Sequence, residues 1–116
     1  MAITLYHNPR CSKSREALAA LQALGHTPEV VLYLETPPDA ATLADVVHKL
    51  GLPARALLRT KEAEYAELGL ADASLDDARL IAAMVAHPKL IERPIAIVGN
   101  RAAIGRPLDA ILALLA

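Results

Sequence analysis

Within its first 34 residues the chain passes from an apolar stretch, Ile3-Thr4-Leu5-Tyr6, through a polar loop into a leucine-spaced segment, then into a second apolar run, Glu29-Val30-Val31-Leu32-Tyr33-Leu34. The first stretch reads as a strand over Ala2–Tyr6, broken by Pro9. Ser12 to Leu24 reads as a helix with Leu18, Leu21 and Leu24 on one side and Gly25 as its stop. Pro28 to Leu34 reads as a second, buried strand. So short a strand–helix–strand unit predicts a right-handed parallel crossover, and the fold is built outward from it.

Pro37-Pro38 opens a helix that Asp39 can cap, with Leu43, Val46, Val47 and Leu50 as its buried stripe and Gly51 at its end. Leu52 to Leu70 is less regular and predicts short helices separated by turns. Ser74-Leu75-Asp76-Asp77 resembles a capping box ahead of Leu80, Ile81, Met84 and Val85, and His87-Pro88 ends that helix. Pro94 to Val98, Gly99-Asn100 and Arg101 to Ile104 form the strongest hairpin signal in the chain. Leu108, Ile111, Leu112 and Leu115 make a last amphipathic helix. The expected architecture is α/β: a small mixed four-stranded sheet flanked by helices, with a helical insert in mid-chain, all in one domain spanning 1–116.

Composition bounds the function. The 116 residues are 54% hydrophobic with no Trp or Phe, so the core is aliphatic, and a net charge of −1 with interspersed signs argues against nucleic-acid or anionic-membrane binding. One cysteine excludes a disulfide scaffold and fits a reducing compartment. The first strand begins too early for a signal peptide, and the apolar C-terminal stretch is too short to span a bilayer. A cytoplasmic protein is expected.

That single cysteine, Cys11, lies in His7-Asn8-Pro9-Arg10-Cys11-Ser12-Lys13-Ser14-Arg15, a segment without Leu, Ile, Val or Ala. A polar strand-to-helix loop hosts sites more often than core. A free thiol is only about 3% ionised at neutral pH. The helix N-terminus, with His7, Arg10, Lys13 and Arg15 as candidate cations, is expected to favour the thiolate. Cys11-Ser12-Lys13-Ser14 is C-x-x-S, the monothiol form of a redox motif, so a second thiol must come from outside. Cys11 to Arg15 is C-x-x-x-R, two residues short of the phosphatase loop. Ser12 and Ser14 are equally suited to capping the helix or touching substrate. His7 and Cys11 amount to half a metal site with no further ligands at workable spacing, so no metal is expected.

Read in full, the chain resembles the glutaredoxin-dependent arsenate reductase family, which has a thioredoxin-like fold. The resemblance is carried by Tyr6 to Arg15, by Leu32-Tyr33-Leu34-Glu35-Thr36-Pro37-Pro38, and by Arg55-Ala56-Leu57-Leu58-Arg59 with Tyr65-Ala66-Glu67-Leu68-Gly69-Leu70. His87-Pro88-Lys89-Leu90-Ile91-Glu92-Arg93-Pro94-Ile95 and Gly105-Arg106-Pro107 complete it. It implies that Cys11 is the nucleophile on arsenic, that His7 favours the thiolate, and that Arg59, Arg93 and Arg106 bind the oxyanion, with Ser14 and Arg15 as further substrate contacts. It also implies a cis peptide bond before Pro94. Arsenate would be the substrate, glutathione the co-substrate and glutaredoxin the protein partner, with no tightly bound cofactor. Where the best-studied members carry Gly-Thr after the cysteine, this chain has Ser12-Lys13.

Two other readings use the same residues. One keeps the redox class and makes Cys11 a glutathione-exchanging thiol acting on mixed disulfides. The other is a non-catalytic regulator of the same superfamily that binds RNA polymerase, although C-x-x-S cannot form a C-x-x-C switch.

Overall fold

The computed structural model describes residues 2–115; Met1 and Ala116, the ends of the expected domain, lie outside the described residues. The backbone divides into two compact units, one made of residues 1–36 with 93–116 and the other of residues 37–92.

The first unit holds the sheet. Strands β1 (Ile3–Tyr6), β2 (Glu29–Val31), β3 (Ile95–Val98) and β4 (Arg101–Ile104) lie in the order β2-β1-β3-β4. β1 and β2 are parallel, with Tyr6 opposite Val31. β1 and β3 are antiparallel, with Tyr6 opposite Ile95, and the β3–β4 hairpin sets Ile95 opposite Ile104. Side chains alternate across a pleated sheet, so Ile3, Leu5, Ala96, Val98 and Ala103 share one face. They pack with Ala17 and Leu21 of helix α1 (Ser12–Ala23) and Ile111 of α5 (Asp109–Leu112), and with Leu114 in the following 3₁₀ turn. This aliphatic layer fixes α1, and with it the loop before α1. On Tyr6 the Tyr33 ring stacks at 6.4 Å and 18°.

Several sequence expectations need correction here. The α1 residues that are buried are Ser14, Ala17 and Leu21, while Leu24 is 59% exposed. Spacings of three and four from position 14 follow the helix period, and Leu24 falls beyond the last turn. The second strand is three residues long, paired only with β1 at the edge of the sheet, and Glu29 and Val30 are exposed. It ends because Glu35 and Thr36 both donate their N–H to Leu32 O, closing a turn.

The second unit is helical: α2 (Ala40–Leu50), α3 (Ala63–Glu67) and α4 (Asp77–Ala86), with 3₁₀ turns at Ala54–Leu57 and Pro88–Leu90. Asp39 caps α2 by accepting Thr42 N–H at 2.7 Å, and Gly51 ends it at φ +66°. Leu43, Val46 and Val47 are buried, whereas Leu50 is only partly so. The cap of α4 is Asp76, which accepts from Arg79 N–H at 2.9 Å. Ser74 instead donates through its backbone N–H and its hydroxyl to Asp72 Oδ1. Among the described residues no helix is long and apolar enough to cross a membrane.

Candidate active site

The register of the sheet brings three chain segments to one end of it. Tyr6, Ile95 and Ile104 are neighbours across β1, β3 and β4. The loop after Tyr6, the residues before Ile95 and those after Ile104 therefore emerge together, and these are the Cys11 loop, Arg93-Pro94 and Gly105-Arg106.

Asn8 organises the loop. Its carbonyl accepts Cys11 N–H at 3.0 Å, its Oδ1 accepts Arg10 N–H at 3.0 Å, and its own N–H donates to Ser14 Oγ at 3.3 Å. Upstream, His7 N–H donates to Val31 O at 2.9 Å and extends the β1–β2 pairing by one rung. Arg15 Nη1 donates to Pro9 O at 3.0 Å across the outside of the turn. Cys11 then takes the N-cap position of α1, with φ −94° and ψ 124°, and its carbonyl accepts Arg15 N–H at 3.0 Å. No side chain caps this helix and no acidic residue lies in its first turn. The positive end of the helix dipole is thus left for the sulfur and whatever binds beside it. Ser14 is completely buried, and its oxygen ties the loop instead of capping the helix.

Cys11 is 8% exposed, and Arg106 Nη2 donates to its Sγ at 3.5 Å. The same guanidinium donates through Nε to Arg93 O at 2.8 Å. Arg106 is thus held at the Arg93 carbonyl and at the sulfur. Arg93 contributes its main-chain carbonyl to this arrangement, and Nε and Nη1 of its half-buried side chain are shielded from solvent. The Arg93–Pro94 and Arg106–Pro107 peptide bonds are both cis. Pro94 is buried and its carbonyl accepts Gly105 N–H at 2.8 Å.

The loop's own cations are placed differently from the sequence expectation. Lys13 pairs with Glu16 at 3.6 Å on the exposed face of α1, and Arg10 is exposed. His7 is buried, and its imidazolium is held below the usual histidine range, first by that burial and then by the charge of Arg15, with a backbone hydrogen bond at Ser14 opposing. At neutral pH His7 is therefore the uncharged imidazole and not a cation beside the sulfur. Arg106, remote in sequence, is a cation whose donor reaches the Cys11 sulfur.

Arg59 belongs to the helical unit. Leu58 and Ile91 form an antiparallel bridge there, flanked by Arg59 N–H to Leu90 O and Glu92 N–H to Leu57 O, each 2.8 Å. Arg59 Nη1 donates to Glu62, and its Nε lies 3.8 Å from Glu92. Among the described residues no group of three or more His, Cys, Asp or Glu side chains is arranged to hold a metal ion.

Two contributors were not singled out from sequence. Asn8 could have been, because Asn before Pro is a turn-initiating signal. Gly105 could not, because what its missing side chain permits depends on Pro94, eleven residues earlier and in another strand's approach.

The sequence profile described as the ArsC family matches residues 6–114. An arsenate reductase of Neisseria meningitidis serogroup A is 51% identical over 114 residues, covering 97% of each chain. The uncharacterized protein YfgD of Escherichia coli K12 is 58% identical over 111 residues, covering 95% of this chain and 93% of its own. The solved arsenate reductase of Vibrio cholerae superposes with a TM-score of 0.94 at 49% identity, covering 97% of both chains. With a lone cysteine at a helix N-terminus, an arginine on its sulfur and this sheet order, the chain belongs to the ArsC family and has its thioredoxin-like fold.

Proposed function

We propose that the protein reduces arsenate to arsenite, with Cys11 as the nucleophile and glutathione and glutaredoxin as external thiol donors in the cytoplasm. The observation that carries this reading is Arg106 Nη2 at 3.5 Å from Cys11 Sγ, above a helix N-terminus that no side chain caps. A guanidinium there donates a hydrogen bond to the sulfur. It can also fork onto an oxyanion's oxygens. An anionic sulfur and an oxyanion repel by about 4 kcal/mol per unit-charge pair at ~4 Å and an effective dielectric of ~20. Cationic donors must cancel that before a bond can form.

The thiolate attacks arsenic, an As–S bond forms, and one oxygen leaves as water after protonation. Glutathione then attacks the cysteine-bound arsenic, a second As–S bond forms as a second oxygen leaves as water, and arsenic takes that water back when it is released. The two sulfurs leave joined as a mixed disulfide, arsenic keeps the electron pair and departs as arsenite, and glutaredoxin reduces the disulfide. Two thiols supply the two electrons that arsenic takes up. Arg93 and Arg106 bind the oxyanion and Pro94 carries the backbone that presents Arg93. Ser14 and Arg15, tied to Asn8 N–H and to Pro9 O, are the further substrate contacts that the resemblance implies, and His7 is assigned to the reactive sulfur by the same resemblance. Arg59 is assigned to the oxyanion by family resemblance; one Nη1 hydrogen is already given to Glu62, so it would bind through its remaining donors.

Arsenite formation from arsenate, glutathione and glutaredoxin tests the proposal. Wild type turns over and Cys11→Ser does not. Undiminished turnover by Cys11→Ser, or none by wild type, contradicts it. Full turnover with glutaredoxin omitted contradicts the assigned donor.

A further inference from the structure

Gly105 is buried between the end of β4 and Arg106. A Cβ built there would lie 2.7 Å from Pro94 Cγ and 2.7 Å from Ile111 Cδ1. Carbon atoms in contact sit about 3.5–4.0 Å apart, so a methyl group would force the backbone or its neighbours to move by close to ~1 Å. Two hydrogen bonds fasten this approach: Gly105 N–H to Pro94 O and Arg106 Nε to Arg93 O, both 2.8 Å. The next nitrogen of the same planar guanidinium, Nη2, reaches the Cys11 sulfur. Because the fork is rigid, these two contacts depend on where the Arg106 backbone begins.

We propose that Gly105 is a positioning residue: its missing side chain lets the strand end lie against the Pro94 ring, and that closeness sets Arg106 on Cys11. This rests on the reading above in which Arg106 activates the sulfur, and it adds a residue that touches neither substrate nor sulfur. A merely structural glycine would, on substitution, loosen the fold and leave Cys11 equally or more reactive. A positioning glycine makes the sulfur slower while the protein stays folded.

The test is the rate of Cys11 alkylation by iodoacetamide at pH 7 in the native protein, with the melting temperature measured alongside. Gly105→Ala is expected to slow alkylation about three- to tenfold, approaching Arg106→Ala. The double variant Gly105→Ala/Arg106→Ala is expected to be no slower than Arg106→Ala. Folded Gly105→Ala that reacts at the wild-type rate, or a double variant slower than both singles by the product of their effects, overturns the proposal. Should Gly105→Ala fail to fold, Gly105→Ala/Ile111→Val removes the Cδ1 clash and retains the one at Pro94. It should show the same slowing, with Ile111→Val alone reacting like wild type. Failure of wild type to reduce arsenate, with this alkylation pattern intact, would defeat the substrate assignment and leave the positioning role standing.

Discussion

His7 shows how burial changes the part a residue can take. In a sequence it is one of four cationic candidates around Cys11; in the fold it is closed off beside Arg15, and both effects disfavour its protonation. This has a consequence for stability. The unfolded chain takes up a proton at His7 as pH falls through 6.5, while the folded protein resists until a lower pH. The unfolded state then binds more protons, so the stability His7 contributes is present above 6.5 and is lost as pH falls through its folded value. Asp39 and Asp72 carry the same sign but act only below 3.8, because hydrogen bonds from Thr42 and Ser74 depress their ordinary values. Urea midpoints should therefore fall as pH drops below 6.5 in wild type, and that slope should flatten in His7→Gln. An equal slope in both proteins would show that His7 is not the source.

At the scale of elements, the loop and α1 form one unit through the bond from Asn8 N–H to the fully buried Ser14 oxygen. Deleting that oxygen leaves a partly buried N–H without its partner, which costs about 1–3 kcal/mol. Ser14→Ala is expected to destabilise the protein by that amount in urea denaturation, whereas Ser12→Ala, on the exposed side, should stay within about 0.5 kcal/mol of wild type. Equal effects would mean that the tie carries no weight. The α1 segment also shows the limits of reading pattern alone. Leucine spacing places the helix correctly but overweights Leu24, because the face that packs includes a serine and an alanine that a hydrophobic template skips. Asp39, Gly51 and the Gly99-Asn100 turn are legible because each acts within a few residues of itself. The edge position of β2 is not, since strand order is set by pairing with β1 alone.

For the molecule as a whole, sequence reached further into the sheet unit than into the source of its positive charge. Local spacing pointed to Arg10, Lys13 and Arg15 around Cys11, yet Lys13 pairs with Glu16 and Arg15 with the Pro9 carbonyl. Arg106 emerged only through family resemblance, because its approach depends on β4 ending beside the start of β3, a non-local fact. The proposed attack of the sulfur on arsenic depends on that convergence. The most direct measurement is a crystal structure of the wild-type protein soaked in arsenate, located by arsenic anomalous scattering. The prediction is arsenic bonded to Cys11 Sγ, with the Arg106 guanidinium on its oxygens. Arsenic bound elsewhere, or a bare Cys11 sulfur at saturating arsenate, would contradict it.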